Sequence, residues 1–184
     1  MKPTEILMEE HRVIERVMVA LERGTNRLSR GEEVYLRFFY GTAFFFKGFE
    51  DGCHHGKEEG VLFPALRGNG FSEGSSVVAV MLAEHAEGRQ LAQMMRLALE
   101  RFQAGDERYR AAVIKHALEY VRLLRQHIQK EDSLLFPIVD QHIPSPHQEL
   151  LLDGFRQFDH DASGDGVHEK YFEMAARLET EWLR

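Results

Sequence analysis

Two stretches of this sequence repeat one phrase built from metal-binding residue types. Residues 54–64, His-His-Gly-Lys-Glu-Glu-Gly-Val-Leu-Phe-Pro, align without a gap to residues 127–137, His-Ile-Gln-Lys-Glu-Asp-Ser-Leu-Leu-Phe-Pro. The shared core is His-x-x-Lys-Glu-[Glu/Asp]-x-x-Leu-Phe-Pro. A second correspondence matches Glu10-His11 to Glu84-His85, and the intervals from these two histidines to the next phrase differ by a single residue. The chain is therefore an approximate duplication, each half bringing one lone histidine and one His-x-x-x-Glu pair.

On an α-helix, residues four apart stand one above the other, so His54 with Glu58, and His127 with Glu131, each aim an imidazole and a carboxylate at one place. A single such pair is ordinarily surface decoration. Two copies in register, each partnered by a stripe histidine, predict four histidines and two glutamates meeting in a shared core. Buried carboxylates are costly unless a cation offsets them. Two divalent ions would do so, each taking two imidazoles while the glutamates bridge, a nitrogen and oxygen donor set that suits iron, manganese or zinc.

The elements that must position these groups are helices. From about Thr4 to Leu28, Leu7, His11, Ile14, Met18 and Leu21 share one stripe, with Thr4 as the expected cap. A second helix is expected from about Glu32 to Leu66 and a third from about Ser75 to Gln103, with Val78, Met81, His85, Ala92 and Met95 in phase. The fourth, from about Asp106 to Val139, aligns Val113, Ala117, Tyr120, Leu124, His127, Glu131, Leu134 and Ile138. Short loops between four long helices predict an all-α fold, an antiparallel four-helix bundle. Two shorter C-terminal helices, about Pro146 to Phe158 and Gly166 to Leu183, follow, with residues 159–166 as a turn between them. The division expected is a bundle over residues 1–142 and a helical extension packed on it over 143–184.

With these residues in place, the sequence resembles the hemerythrin-like, His-His-Glu cation-binding family over about residues 4–140. The resemblance implies a non-haem di-iron centre of two iron ions, oxo- or hydroxo-bridged, with His11, His54, His85 and His127 as terminal ligands and Glu58 and Glu131 as bridges. It differs from the oxygen carriers at one place. Those have His-x-x-x-His on the third helix, and here Arg89 stands four after His85. Six protein ligands remain, a more symmetric and more open set, closer to bacterial members linked to iron-centre repair, nitric oxide or peroxide handling.

Neighbouring residues are read more plainly. His55 lies about 100° around the helix from His54, so it is expected at the surface or hydrogen-bonded to Asp51 one turn earlier. Glu10, Glu59, Glu84 and Asp132 are expected to face solvent, with Glu10 or Glu84 able to orient an imidazole. Arg89 is expected to form surface salt bridges, His168 to cap or pack, and Cys53 to be a buried or half-buried thiol. His116, His142 and His147 are read as surface, and His160 has no assigned role. The run from Phe38 to Phe46 is apolar on every side of its helix, so its outer face needs cover from the C-terminal helices or from a second subunit as a homodimer.

Three functions use this donor set equally. The first is binding of, or reaction with, a small ligand such as O2, NO or H2O2. The second is a non-catalytic iron reservoir, donor or sensor, and the third is catalase-like peroxide detoxification. Composition narrows the partners. With 184 residues and a net charge of −7, without a dense basic block, nucleic acid and anionic membranes are not expected partners. No apolar run reaches the roughly 18 residues of a membrane span, and the acidic start lacks a signal-peptide core, so a cytoplasmic protein is expected. The single cysteine excludes an internal disulfide and a thiolate-only zinc site.

Overall fold

The computed structural model describes residues 1–70, 76–163 and 167–183, and among them there is no strand. Six helices account for them: α1 (Pro3–Ser29), α2 (36–68), α3 (Ser76–Gln103), α4 (110–142), α5 (Ser145–Ser163) and α6 (Val167–Glu181). The short 3-10 turn Glu107–Tyr109 leads into α4. The expected stripe of α1 is buried throughout, from Leu7 through His11 and Ile14 to Met18 and Leu21. Its cap differs from expectation: the chain enters the helix at Lys2 with Pro3 in the first turn, and Thr4 Oγ1 donates to Asp140 at 2.8 Å. Just beyond α1 and α3, Gly31 and Gly105 take φ of 78° and 92°, left-handed turns that only glycine adopts at low cost.

The helices that carry the repeated phrase are not α-helical throughout. α2 is π-helical over Phe46–His55 and Glu58–Leu62, and α4 over Glu131–Leu135. A π turn closes its hydrogen bonds at i+5 and so admits one extra residue, which shifts every later side chain around the axis. In α4 the expected stripe of Leu134 and Ile138 is accordingly displaced. Leu135 and Val139 are buried instead, and Leu134 is half exposed.

Apolar side chains form two clusters. One gathers Ile14, Met18, Phe38, Phe45, Phe46, Met95 and Tyr120. The other holds Leu7, Leu62, Phe63, Met81, Leu135, Phe136 and Phe155. Burial of this apolar area is the main driving force for the fold. α6 packs against α1 and α2: Tyr171 meets the rings of Phe45 and Phe49, and Leu178 approaches Gly41. Phe38, Phe39, Phe45 and Phe46 are all buried, whereas Phe44 is 64% exposed. α5 approaches α2 closely enough that a Cβ on Gly56 would stand 2.3 Å from the ring of Phe158. The helix also continues further than expected. Residues 159–163, read as part of a turn, are its last turn, while 164–166 lie outside the described residues, as does Ser75.

Candidate metal centre

A buried polar layer separates the two apolar clusters. His11 comes from α1, His54 and Glu58 from α2, His85 from α3, and His127 and Glu131 from α4; none is more than 2% exposed. All six residues singled out by the repeat are thus brought together. His11 Nε2 stands 3.1 Å from Glu131 Oε2, and His127 Nε2 stands 3.2 Å from Glu131 Oε1. His54 Nε2 and His85 Nε2 flank Glu58 at 3.7 and 3.4 Å. His54 Nε2, both oxygens of Glu58 and Glu131 Oε1 have no hydrogen-bond partner among the described residues. Such groups, buried and unanswered, are what a cation site requires. Two ligand groups are defined, each with donor atoms within 4.8 Å of one another: His11, His54, Glu58 and Glu131, and His55, Glu58, His85 and His127.

Each of the four expected histidines turns its other nitrogen outward onto a carboxylate. His54 Nδ1 meets Glu10 at 3.0 Å, His127 Nδ1 meets Glu84 at 3.1 Å, His85 Nδ1 meets Glu59 at 2.7 Å and His11 Nδ1 meets Asp132 at 2.7 Å. Glu10 and Glu84 thus orient imidazoles, the alternative their positions allowed, and Glu59 and Asp132, expected to face solvent, do the same. Each acid is in turn held by a cation: Glu10 by Lys57, Glu84 by Lys130, Glu59 by Arg89 and Asp132 by Arg12. Carboxylate–imidazole pairs of this kind fix the ring and raise its basicity toward an ion. The signal was in the repeat itself. The Glu before each lone histidine, the Lys three after each phrase histidine and the acid after each phrase glutamate are the duplicated positions that supply these contacts. Lys57 is wholly buried, unlike its counterpart Lys130, and also reaches Asp159.

The electrostatics of this layer favour positive charge at its centre. Burial alone would lower the imidazoles, but hydrogen bonds to Asp132 and Glu131 hold His11 at about 9, and the neighbouring carboxylates of Glu58 and Glu59 hold His85 at about 9. His127 likewise overcomes burial and stands at about 10, chiefly through Glu131. Burial pushes the carboxyl of Glu131 up, yet His127 and His11 outweigh it and keep it well below the usual range. Burial is similarly outweighed at Glu10, which His54 and Lys57 bring to about 2. Protons on imidazole thus supply part of the positive charge the carboxylates need, and bound cations would displace them.

His55 is the largest departure from expectation. It is 3% exposed, and its ring stacks on His85 with centroids 3.7 Å apart and planes 15° apart. The α-helical assumption of about 100° per residue failed here because this stretch is π-helical. In that geometry the residue stacked beneath His55 is Glu50, five earlier, whose Oε1 lies 3.3 Å from His55 Nε2. Asp51, the expected partner, instead binds Lys47 and Arg89. Burial raises Glu50 to about 7, helped by the charge of Asp51, and pushes His55 well below the usual imidazole value, helped by His85 and His127.

The Phe of each Leu-Phe-Pro phrase closes the layer from one side: Phe63 stacks on His85 at 6.0 Å and Phe136 on His11 at 5.5 Å. On the other side a cavity of about 320 Å³ opens between α2, α3 and α4, with Arg89 and Lys47 toward its mouth and His55, His85, Glu50 and Tyr120 in its wall. Arg89 forms the salt bridges expected of it, to Asp51 at 2.5 Å and Glu59 at 2.6 Å. His168 packs its ring on Phe49 and faces Asp159 at 3.2 Å, away from the ligand groups. Cys53 is buried, as are the apolar neighbours of the site. His142, His147 and His160 are exposed, whereas His116, read as surface, is half-buried.

Comparison with known proteins agrees with this geometry. The chain is 23% identical over 175 residues to an uncharacterised protein of Mycobacterium bovis, covering 95% of this chain and 68% of that protein. An uncharacterised protein of Mycobacterium tuberculosis matches with the same identity and coverage. No solved structure matches. The profile of the hemerythrin HHE cation binding domain matches residues 2–139, the span that contains every histidine and glutamate of the buried layer, and the chain belongs to that family.

Proposed function

We propose that this chain holds two iron ions in a non-haem di-iron centre at the core of an antiparallel four-helix bundle, and that the centre binds or reacts with a small ligand such as O2, NO or H2O2. One observation carries the proposal: four imidazole edges and two carboxylates converge in a fully buried layer where three of the four carboxylate oxygens lack a hydrogen-bond partner, while all four outer nitrogens are fixed by carboxylates. His11 and His54 would hold one ion, His85 and His127 the other, and Glu58 and Glu131 would lie between them. Ions so placed supply redox electrons and coordination positions that protein donors leave open. The chain's own part is to position and to exclude water. Leu62, Met81 and Leu124 are buried around the layer, the two phenylalanines shield the histidines, and the cavity beside His85 is of a size that admits small molecules.

Glu58→Ala and Glu131→Ala test the bridging roles. Each variant is expected to lose at least one ion per chain after anaerobic loading with ferrous iron, and full two-ion occupancy in both would overturn the assignment. The loaded parent, exposed in turn to oxygen, nitric oxide and peroxide, is expected to change its optical spectrum with at least one. A loaded protein indifferent to all three would replace the reactive reading with an iron reservoir or donor.

A further inference from the structure

We propose that His55 is a fifth imidazole ligand, supplied by α2 to the ion that His85 and His127 hold, so that the two halves of the centre are unequal. This rests on the two-ion reading above. The donor atoms of His55, Glu58, His85 and His127 lie within 4.8 Å of one another, which places His55 among the ligand positions. A buried imidazole has two ring nitrogens to satisfy, and each left unanswered is costly. Neither His55 nitrogen has a hydrogen-bond partner of good geometry among the described residues. Nε2 stands 3.3 Å from Glu50 Oε1, close enough to tighten into a bond, and the ring lies against His85 and edge-on to His127.

Every other histidine of the layer follows one rule, one nitrogen on a carboxylate and the other toward the centre. Glu50 and His55 stand as a fifth carboxylate–imidazole pair, with Nε2 rather than Nδ1 toward the acid so that Nδ1 is the nitrogen left for an ion, and the five-residue spacing of the π-helix is what aligns them on one face. No equivalent exists on the opposite side. The position that corresponds to His55 in the second phrase is Ile128, buried among apolar side chains. The duplicated halves therefore give three imidazoles to one ion and two to the other. His55 also lines the cavity from solvent, so its ring stands between that cavity and the ion it would bind.

Cobalt(II) is the probe, because its optical spectrum reports coordination number and it needs no turnover. Parent, His55→Ala and His55→Gln are loaded with cobalt(II), with helicity followed by circular dichroism; the Gln variant preserves side-chain volume where Ala leaves a hole. Both variants are expected to bind two ions, one of them at least about 10-fold more weakly, with an altered spectrum that millimolar imidazole returns to the parent's in the Ala variant. Unchanged spectra and affinities in both variants would overturn the proposal. So would an altered spectrum that imidazole leaves unmoved, which assigns His55 to positioning His85. A parent that fails to bind two cobalt ions refutes the two-ion centre itself, a result distinct from either.

Discussion

Lys57 and Lys130 occupy the same place in the repeated phrase, yet the structure predicts very different consequences for their loss. Lys57 is wholly buried, with its ammonium against Glu10, which is 3% exposed, and near Asp159. Replacing it with Met keeps the apolar stem but leaves the charged Glu10 in the interior with His54 and without its ammonium partner, a change that costs about 3–5 kcal/mol. At about 2–4 °C per kcal/mol for a chain of this size, the apoprotein's Tm should fall by about 6–20 °C. Lys130 is 40% exposed and pairs with Glu84 near water, so Lys130→Met should cost about 0–1 kcal/mol once solvent screening is counted. Thermal and urea unfolding of the metal-free variants, followed by circular dichroism, measures both. Adding Glu10→Gln to Lys57→Met should recover most of the loss, since the neutral amide can still accept from His54. Equal destabilisation by the two single lysine variants, or no recovery in the double variant, would refute the reasoning.

Metal uptake should depend on pH. His11, His85 and His127 are raised to about 9, 9 and 10, so they carry protons at neutral pH that bound ions must displace. About three protons per chain should be released on loading at pH 7, measurable by calorimetry in buffers of different ionisation enthalpy, and apparent affinity should rise up to about pH 9. The same groups give the apoprotein stability that is full below the ordinary imidazole value of about 6.5 and lost as pH rises through about 9 to 10. An affinity flat between pH 6 and 9 would contradict this. Gly56→Ala should destabilise by driving its Cβ toward Phe158. The overpacking cost of about 1–3 kcal/mol is only partly offset by the roughly 1 kcal/mol that Ala gains over Gly within a helix, and urea denaturation reads the difference.

The convergence of the six candidate ligands was legible because the repeat fixes them by spacing and each lies on a helix whose stripe is clear, as in α1. His55 and Leu134 were misplaced for a single reason. Both follow or lie within a π turn, and a π turn is selected by what it packs against, leaving no period in the local sequence. The solvent-facing reading of the outer acids failed for a different reason: each lies beside a candidate ligand in sequence, which on one helix points it elsewhere, but it reaches a histidine on another helix. Glu10 on α1 serves His54 on α2, and Asp132 on α4 serves His11 on α1. The repeat marks these positions, but which histidine each acid meets is set by the packing of helices. The buried state of Lys57 was hidden likewise, because its cover, Asp159 and Phe155, comes from α5.

The central claim is that one buried layer holds two cations, and ferrous titration under anaerobic conditions tests it most directly. Ions bound per chain are counted after removal of excess metal, with Glu131→Ala as the reference. The account predicts a break at two ions per chain for the parent and at no more than one for the variant. A parent that saturates at one ion or binds none, or a variant that still binds two, would contradict it.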